Sequence, residues 1–144
     1  MKVALLILFV ACVQATSPPF FPKDEIEKHT GHCIHDHKLD KDHISKIFNS
    51  ETYPEDDKDF STFYDCFIDM LGLYTVDGEI HFEHPIFIAY VQEKLKLADA
   101  AGEEDHIRDA VKHCIAESPK VEPRVLNLIR RRNCGVKYYK SHAH

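Results

Sequence analysis

"CFIDMLGLYTVDGEI", Cys66 to Ile80, is the stretch on which the fold class turns. Asp77-Gly78 between β-forming residues is a good hairpin signal. A hairpin here would place a sheet in the middle of the chain. An isolated hairpin this short is marginal in water, however, and its flanks are helical. Upstream, Phe60, Phe63, Tyr64, Phe67 and Leu71 recur at three- and four-residue steps, the spacing that keeps side chains on one helix face. The reading is therefore a helix over roughly 58–71, a stop at Gly72 and an irregular loop that turns at Asp77-Gly78.

The rest of the chain repeats this helical pattern. Asp24 is a candidate cap for a first helix ending near Asp36, and Asp40 for a second, "KDHISKIF". "TYPEDD" breaks the chain before the helix that carries Cys66. Downstream, Pro85 suits the first turn of a fourth helix, on which Phe87, Tyr90, Val91 and Leu95 share a face. After "DAAGEED" a fifth carries Ile107, Ala110, Val111, Cys114 and Ile115, and Pro119 ends it. Pro123 opens a sixth, with Val125, Leu128 and Ile129 inward, before Gly135 and the tail "VKYYKSHAH". The expectation is an all-α compact bundle of about six helices with short connections and no internal repeat.

The first fifteen residues have the pattern of a secretory signal: Lys2, then the apolar run "VALLILFVACV", then the small residues Val13 and Ala15. The run is too short to span a bilayer. Cleavage after Ala15 would leave a single domain, residues 16–144, long enough for its own core. No later segment is apolar enough for membrane insertion, so the expected location is secreted and extracellular. The formal net charge of -6 makes a nucleic-acid partner improbable on electrostatic grounds. "RRR", Arg130 to Arg132, is the sole basic run and reads as solvated surface, because consecutive helical residues point in different directions.

Cleavage would also remove Cys12 and leave Cys33, Cys66, Cys114 and Cys134. An even number in a small secreted protein suggests two disulfides, with three possible pairings. The spacings are 32, 47 and 19 intervening residues. This frame, together with the Leu-Gly-Leu helix end and Asp-Gly turn after Cys66, resembles the insect odorant-binding protein family, which includes pheromone-binding proteins. That family typically has six cysteines. Its missing second and fifth fall at Thr62 and Val125, and both belong to one family disulfide. The chain therefore looks like the four-cysteine "minus-C" branch. The resemblance implies the pairs Cys33–Cys66 and Cys114–Cys134 and an apolar pocket between the helices. On that basis Phe63, Phe67, Leu71, Phe87, Tyr90, Val91, Ile107, Val111, Leu128 and Ile129 are the expected ligand-pocket residues. It also implies a non-enzymatic carrier of odorants, pheromones or lipids without a cofactor. Such a carrier would be a monomer or weak dimer that reaches a membrane odorant receptor only indirectly. Haemolymph or seminal-fluid lipid carriers of the same fold are the alternative.

"HTGHCIHDHKLDKDH", His29 to His43, is dense in imidazole. His29, His32 and Asp36 lie within about 60° on a helix, an arrangement able to hold zinc or copper weakly. A secreted histidine-rich metal-binding protein is therefore the reading from a different class, although the preferred one assigns no metal. Catalysis has little support. "CIHDH" lacks the double cysteine and glycine-rich calcium loop of secreted phospholipases, and there is no Gly-x-Ser-x-Gly elbow. The remaining reading is ordinary surface histidines, with His29 and His37 at the two margins of the first helix's buried face; if burial there outweighs the nearby carboxylates, ligand release is favoured by acid.

Overall fold

The structure, a computed structural model, describes residues 23–95 and 100–142. The expected signal segment lies outside them. The described residues form six helices: α1 (Lys23–Asp36), α2 (Lys41–Phe48), α3 (Lys58–Met70), α4 (Pro85–Leu95), α5 (Ala100–Glu117) and α6 (Arg124–His142). No strand forms among them. The 66–80 stretch contributes a single antiparallel bridge, Tyr74 to Ile80, closed by hydrogen bonds from Thr75 N to Glu79 O (2.8 Å) and Gly78 N to Thr75 O (3.0 Å).

Local chemistry sets several of the helix ends. Asp40 caps α2, its Oδ1 accepting from Asp42 N at 2.9 Å and His43 N at 3.1 Å. Asp57 caps α3 through Phe60 N at 2.8 Å, and its other oxygen accepts from His43 Nε2 at 2.7 Å, which ties the start of α3 to α2. The Phe60 amide holds the Asp57 carboxyl below its ordinary range, against the opposing cost of burial and with help from His43. Gly72 ends α3 at φ 72°, a conformation that favours glycine. His84 caps α4, its Nδ1 accepting from Ile86 N at 3.1 Å. Asp24 lies inside the first turn of α1 and is not its cap.

Two disulfides staple the bundle as the resemblance implied. Cys33–Cys66 joins α1 to α3 across a Cα–Cα distance of 5.9 Å, and Cys114–Cys134 joins α5 to α6 across 5.8 Å. The core is aromatic. Phe48, Tyr53, Phe60, Phe63, Tyr64 and Phe67 are all buried. Phe48 meets Phe63 edge-on at 5.3 Å and Tyr53 meets Tyr64 edge-on at 5.2 Å, the geometry that the ring quadrupole favours. Tyr53 comes from the chain-breaking segment "TYPEDD". Its hydroxyl donates to Phe48 O at 2.8 Å, and its backbone is clasped by Asn133, which accepts from Tyr53 N (2.9 Å) and donates to Tyr53 O (2.8 Å).

Two expectations need correction. The last helix does not end near Gly135. α6 runs through it to His142. The extension has partners: Tyr139 packs on the core, and the Tyr138 ring stacks on His113 of α5 at 4.2 Å. The arginine run is not uniformly solvated. Arg130 is exposed and pairs with Glu55, Arg131 is buried to 6 % exposure, and Arg132 is half-buried on the Tyr53 ring at 3.6 Å. Consecutive residues do point different ways, and here one of those ways is inward.

Candidate functional site

A cavity of about 90 Å³ lies where α3, α4, α5 and α6 converge. α3 contributes Tyr64 and Ile68, and the loop after it Leu73 and Ile80. α4 contributes Phe87, Tyr90 and Val91, and α5 Ile107, Ala110 and Val111. α6 supplies a long wall of Leu128, Arg131, Arg132, Gly135, Val136 and Tyr139. The wall is apolar apart from the tyrosine hydroxyls and the two arginines. A cavity of ~150 Å³ lined by aliphatic residues stays dry and accepts a six-carbon ring. The present void is smaller than that, so a six-carbon ring or a longer ligand requires the walls to part.

Six of the residues expected to form the pocket line this cavity: Phe87, Tyr90, Val91, Ile107, Val111 and Leu128. The other four, Phe63, Phe67, Leu71 and Ile129, are buried in the core and do not line the cavity, Phe67 standing behind Tyr90 at 5.9 Å between ring centroids. Helix geometry separates the two sets. Phe63 and Phe67 share one strip of α3 and meet Phe48 of α2, whereas Tyr64 and Ile68 occupy the adjacent strip, about 100° round. Periodicity alone does not divide one broad apolar face in this way. Gly135, Val136 and Tyr139 were missed because the last helix was expected to stop before them.

The loop wall is held by a buried ionic clamp. Arg131 donates from Nη1 to Cys114 O (2.8 Å) and Ser118 O (2.6 Å), and from Nη2 to Glu79 Oε2 (3.3 Å). Asn127 Nδ2 donates to Glu79 Oε1 at 2.9 Å. Glu79 thus ties the loop to α6 and sets the position of its neighbour Ile80 in the wall. A buried charge with its hydrogen bonds satisfied is tolerated, while removing one partner leaves the other stranded.

The model of the PBP/GOBP family matches residues 22–130 of this chain, more than half its length. The chain belongs to this family, the insect odorant- and pheromone-binding proteins. Members of the PBP/GOBP family carry small hydrophobic ligands. Comparisons with curated proteins and with solved structures find no match.

In this PBP/GOBP chain the polar end of the cavity is the Tyr64–Tyr90 pair, whose side chains hydrogen-bond to each other. Burial raises the pKa of both hydroxyls, so at neutral pH they are protonated. The histidine-rich segment lies apart from the cavity. His29 is half-buried, and its Nδ1 is buried without a hydrogen-bond partner among the described residues. His37 is exposed because it follows the last residue of α1, where the helical angle no longer applies. His32 is exposed and faces Asp36 at 3.4 Å. Among the described residues no group of three or more histidine, cysteine or acidic side chains is placed to hold a metal ion. No helix among them is long and apolar enough to cross a membrane.

Proposed function

We propose that this protein is a secreted, non-enzymatic carrier that holds a small hydrophobic molecule in the cavity between α3, α4, α5 and α6. The observation that carries the reading is the cavity itself: apolar walls from four helices, with one tyrosine pair as a polar end. Burying ~300 Å² of ligand surface at ~25 cal/mol per Å² is worth about 7 kcal/mol gross, before the cost of association. Micromolar affinity, about -8 kcal/mol, therefore needs close packing and a hydrogen bond as well. The binding residues in this proposal are the sixteen that line the cavity, including Phe87, Tyr90, Val91, Ile107, Val111 and Leu128.

Residues 1–15 act as the export signal and 16–144 as one domain. The protein works as a monomer or weak dimer, and a membrane odorant receptor is reached only indirectly. Acid-favoured release belongs to this reading as well, with the half-buried His29 on α1 as its candidate residue. The test is a titration of the oxidised protein with an apolar fluorescent probe, followed by displacement with candidate odorants and lipids. Saturable displacement supports a carrier, and absence of any binding refutes it. Expression in antenna, haemolymph-secreting tissue or reproductive gland separates the olfactory role from the alternatives.

A further inference from the structure

Charge is not balanced at the tyrosine end of the cavity. Of the three consecutive arginines, Arg130 meets Glu55 and Arg131 meets Glu79. Arg132, which lines the cavity beside Tyr64 and Tyr90, meets only neutral acceptors among the described residues: Ser50 O, Glu51 O and Asn133 Oδ1. Lys94 stands one turn after Tyr90 on α4. Its Nζ lies 3.6 Å from the centroid of the Phe48 ring and donates to Phe48 O at 2.9 Å, and Glu93 beside it is the carboxylate that acts on it. Phe48 in turn touches Tyr64 edge-on, at 6.5 Å between centroids.

Both cations help to satisfy the carbonyls at the C-terminal end of α2. That end carries only about half a negative charge, whereas Lys94 and Arg132 together bring two positive ones, of which Glu93 offsets part at Lys94 and none of the ion pairs among the described residues reaches Arg132. The excess is felt nearby. Arg132 acts on the Tyr53, Tyr64 and Tyr90 hydroxyls in the direction that favours an anion. Lys94 is pushed down to about 8, first by burial and then by Arg132, with Glu93 acting in the opposite direction. No carboxylate side chain lines the cavity to absorb this field.

We propose that the cavity prefers ligands that end in a carboxylate, with the alkyl chain against the aliphatic walls and the acid group at Tyr64 and Tyr90, facing Arg132 and Lys94. The inference rests on the carrier reading and names its ligand class, a medium-chain carboxylic acid. One O–H of the pair is engaged in their mutual hydrogen bond, which leaves the other to donate to an arriving carboxylate, and Arg132 in the wall supplies the opposite charge, with Lys94 beyond it. Neutral alcohols of the same chain length fill the same walls and lack the second attraction.

The experiment is calorimetric titration of the oxidised protein with octanoate and with octan-1-ol at pH 7. The expected result is tighter binding of octanoate by about tenfold, weakening as salt is raised, with octan-1-ol insensitive to salt. Lys94→Met, which keeps an apolar stem and lies outside the cavity lining, should lower octanoate affinity and leave that of octan-1-ol unchanged, and Arg132→Met in the wall should lower octanoate affinity by more than that of octan-1-ol. Equal or tighter binding of the alcohol by the unmodified protein overturns the inference and leaves the carrier reading intact. So does an octanoate preference that survives both substitutions. Binding of neither compound counts against the carrier reading itself, and this inference goes with it.

Discussion

The Arg124 guanidinium donates from Nε to Asp65 Oδ1 at 2.9 Å and lies on the Tyr74 ring at 4.0 Å, while Tyr74 donates its hydroxyl to the same oxygen at 2.9 Å. This contact joins α6 to α3 one residue from Val125, one of the two positions that the family resemblance assigns to the absent cysteine pair. Burial, followed by the neighbouring Asp65 carboxylate, keeps the Tyr74 hydroxyl protonated well beyond its ordinary range. A half-exposed ion pair of this kind is worth roughly 0.2–1 kcal/mol. A double-mutant cycle of Arg124→Met and Asp65→Asn, read by urea denaturation, should return a coupling in that range. A coupling near zero would mean that α3 and α6 are joined here by packing alone.

Thr62 and Val125 border the same groove between α3 and α6. Replacing both with cysteine should restore the missing bridge, visible as a third disulfide in non-reducing peptide maps. The entropy model gives up to about 4 kcal/mol for a loop of this length. Failure to oxidise would show that Thr62 and Val125 do not approach closely enough for a bridge.

Lys94 gives a pH dependence whose sign is fixed. Its ammonium titrates near 8 in the folded protein, against 10.5 for an ordinary lysine. Between those values the unfolded chain binds more protons, so the contribution of this group to stability rises with pH. Wild type should therefore gain on Lys94→Met in unfolding free energy between pH 7.5 and 9.5. Above pH 10 the tyrosines oppose the trend, since their raised values mean that stability is lost once the unfolded chain ionises first. A difference that stays flat across the window would place Lys94 in solvent.

How much of this could be read beforehand depended on range. Asp40 and Asp57 cap through amides two and three residues away, and Gly72 stops α3 by its own backbone, so these features are visible in short windows. Tyr53, Arg131 and Arg132 are placed by partners far along the chain. Asn133 holds Tyr53, and Glu79 admits Arg131 to the interior. Nothing local in "TYPEDD" or "RRR" announces those partners. Periodicity identified the inward faces of α4 and α5, and so most of the cavity wall they form, but it could not choose between adjacent strips of α3.

Val111→Phe should fill the cavity from α5. Binding of the probe should fall at least tenfold with the fold retained, at a cost of about 1–3 kcal/mol if the extra ring strains the wall. Circular dichroism together with a probe titration checks both halves. Unchanged affinity would locate the ligand elsewhere.

Gly135 stands in the cavity wall, next to the Cys134 anchor and inside a helix, and a β-carbon built there would meet nothing within 4 Å. Alanine at this position would strengthen α6 by up to about 1 kcal/mol while narrowing the chamber, and larger side chains would shorten it further. The depth of the chamber can therefore be inherited separately from the scaffold. One codon, framed by a cysteine that holds the helix in place, lets descendants of this gene exchange one cargo for a smaller one without first surviving a poorly folded ancestor.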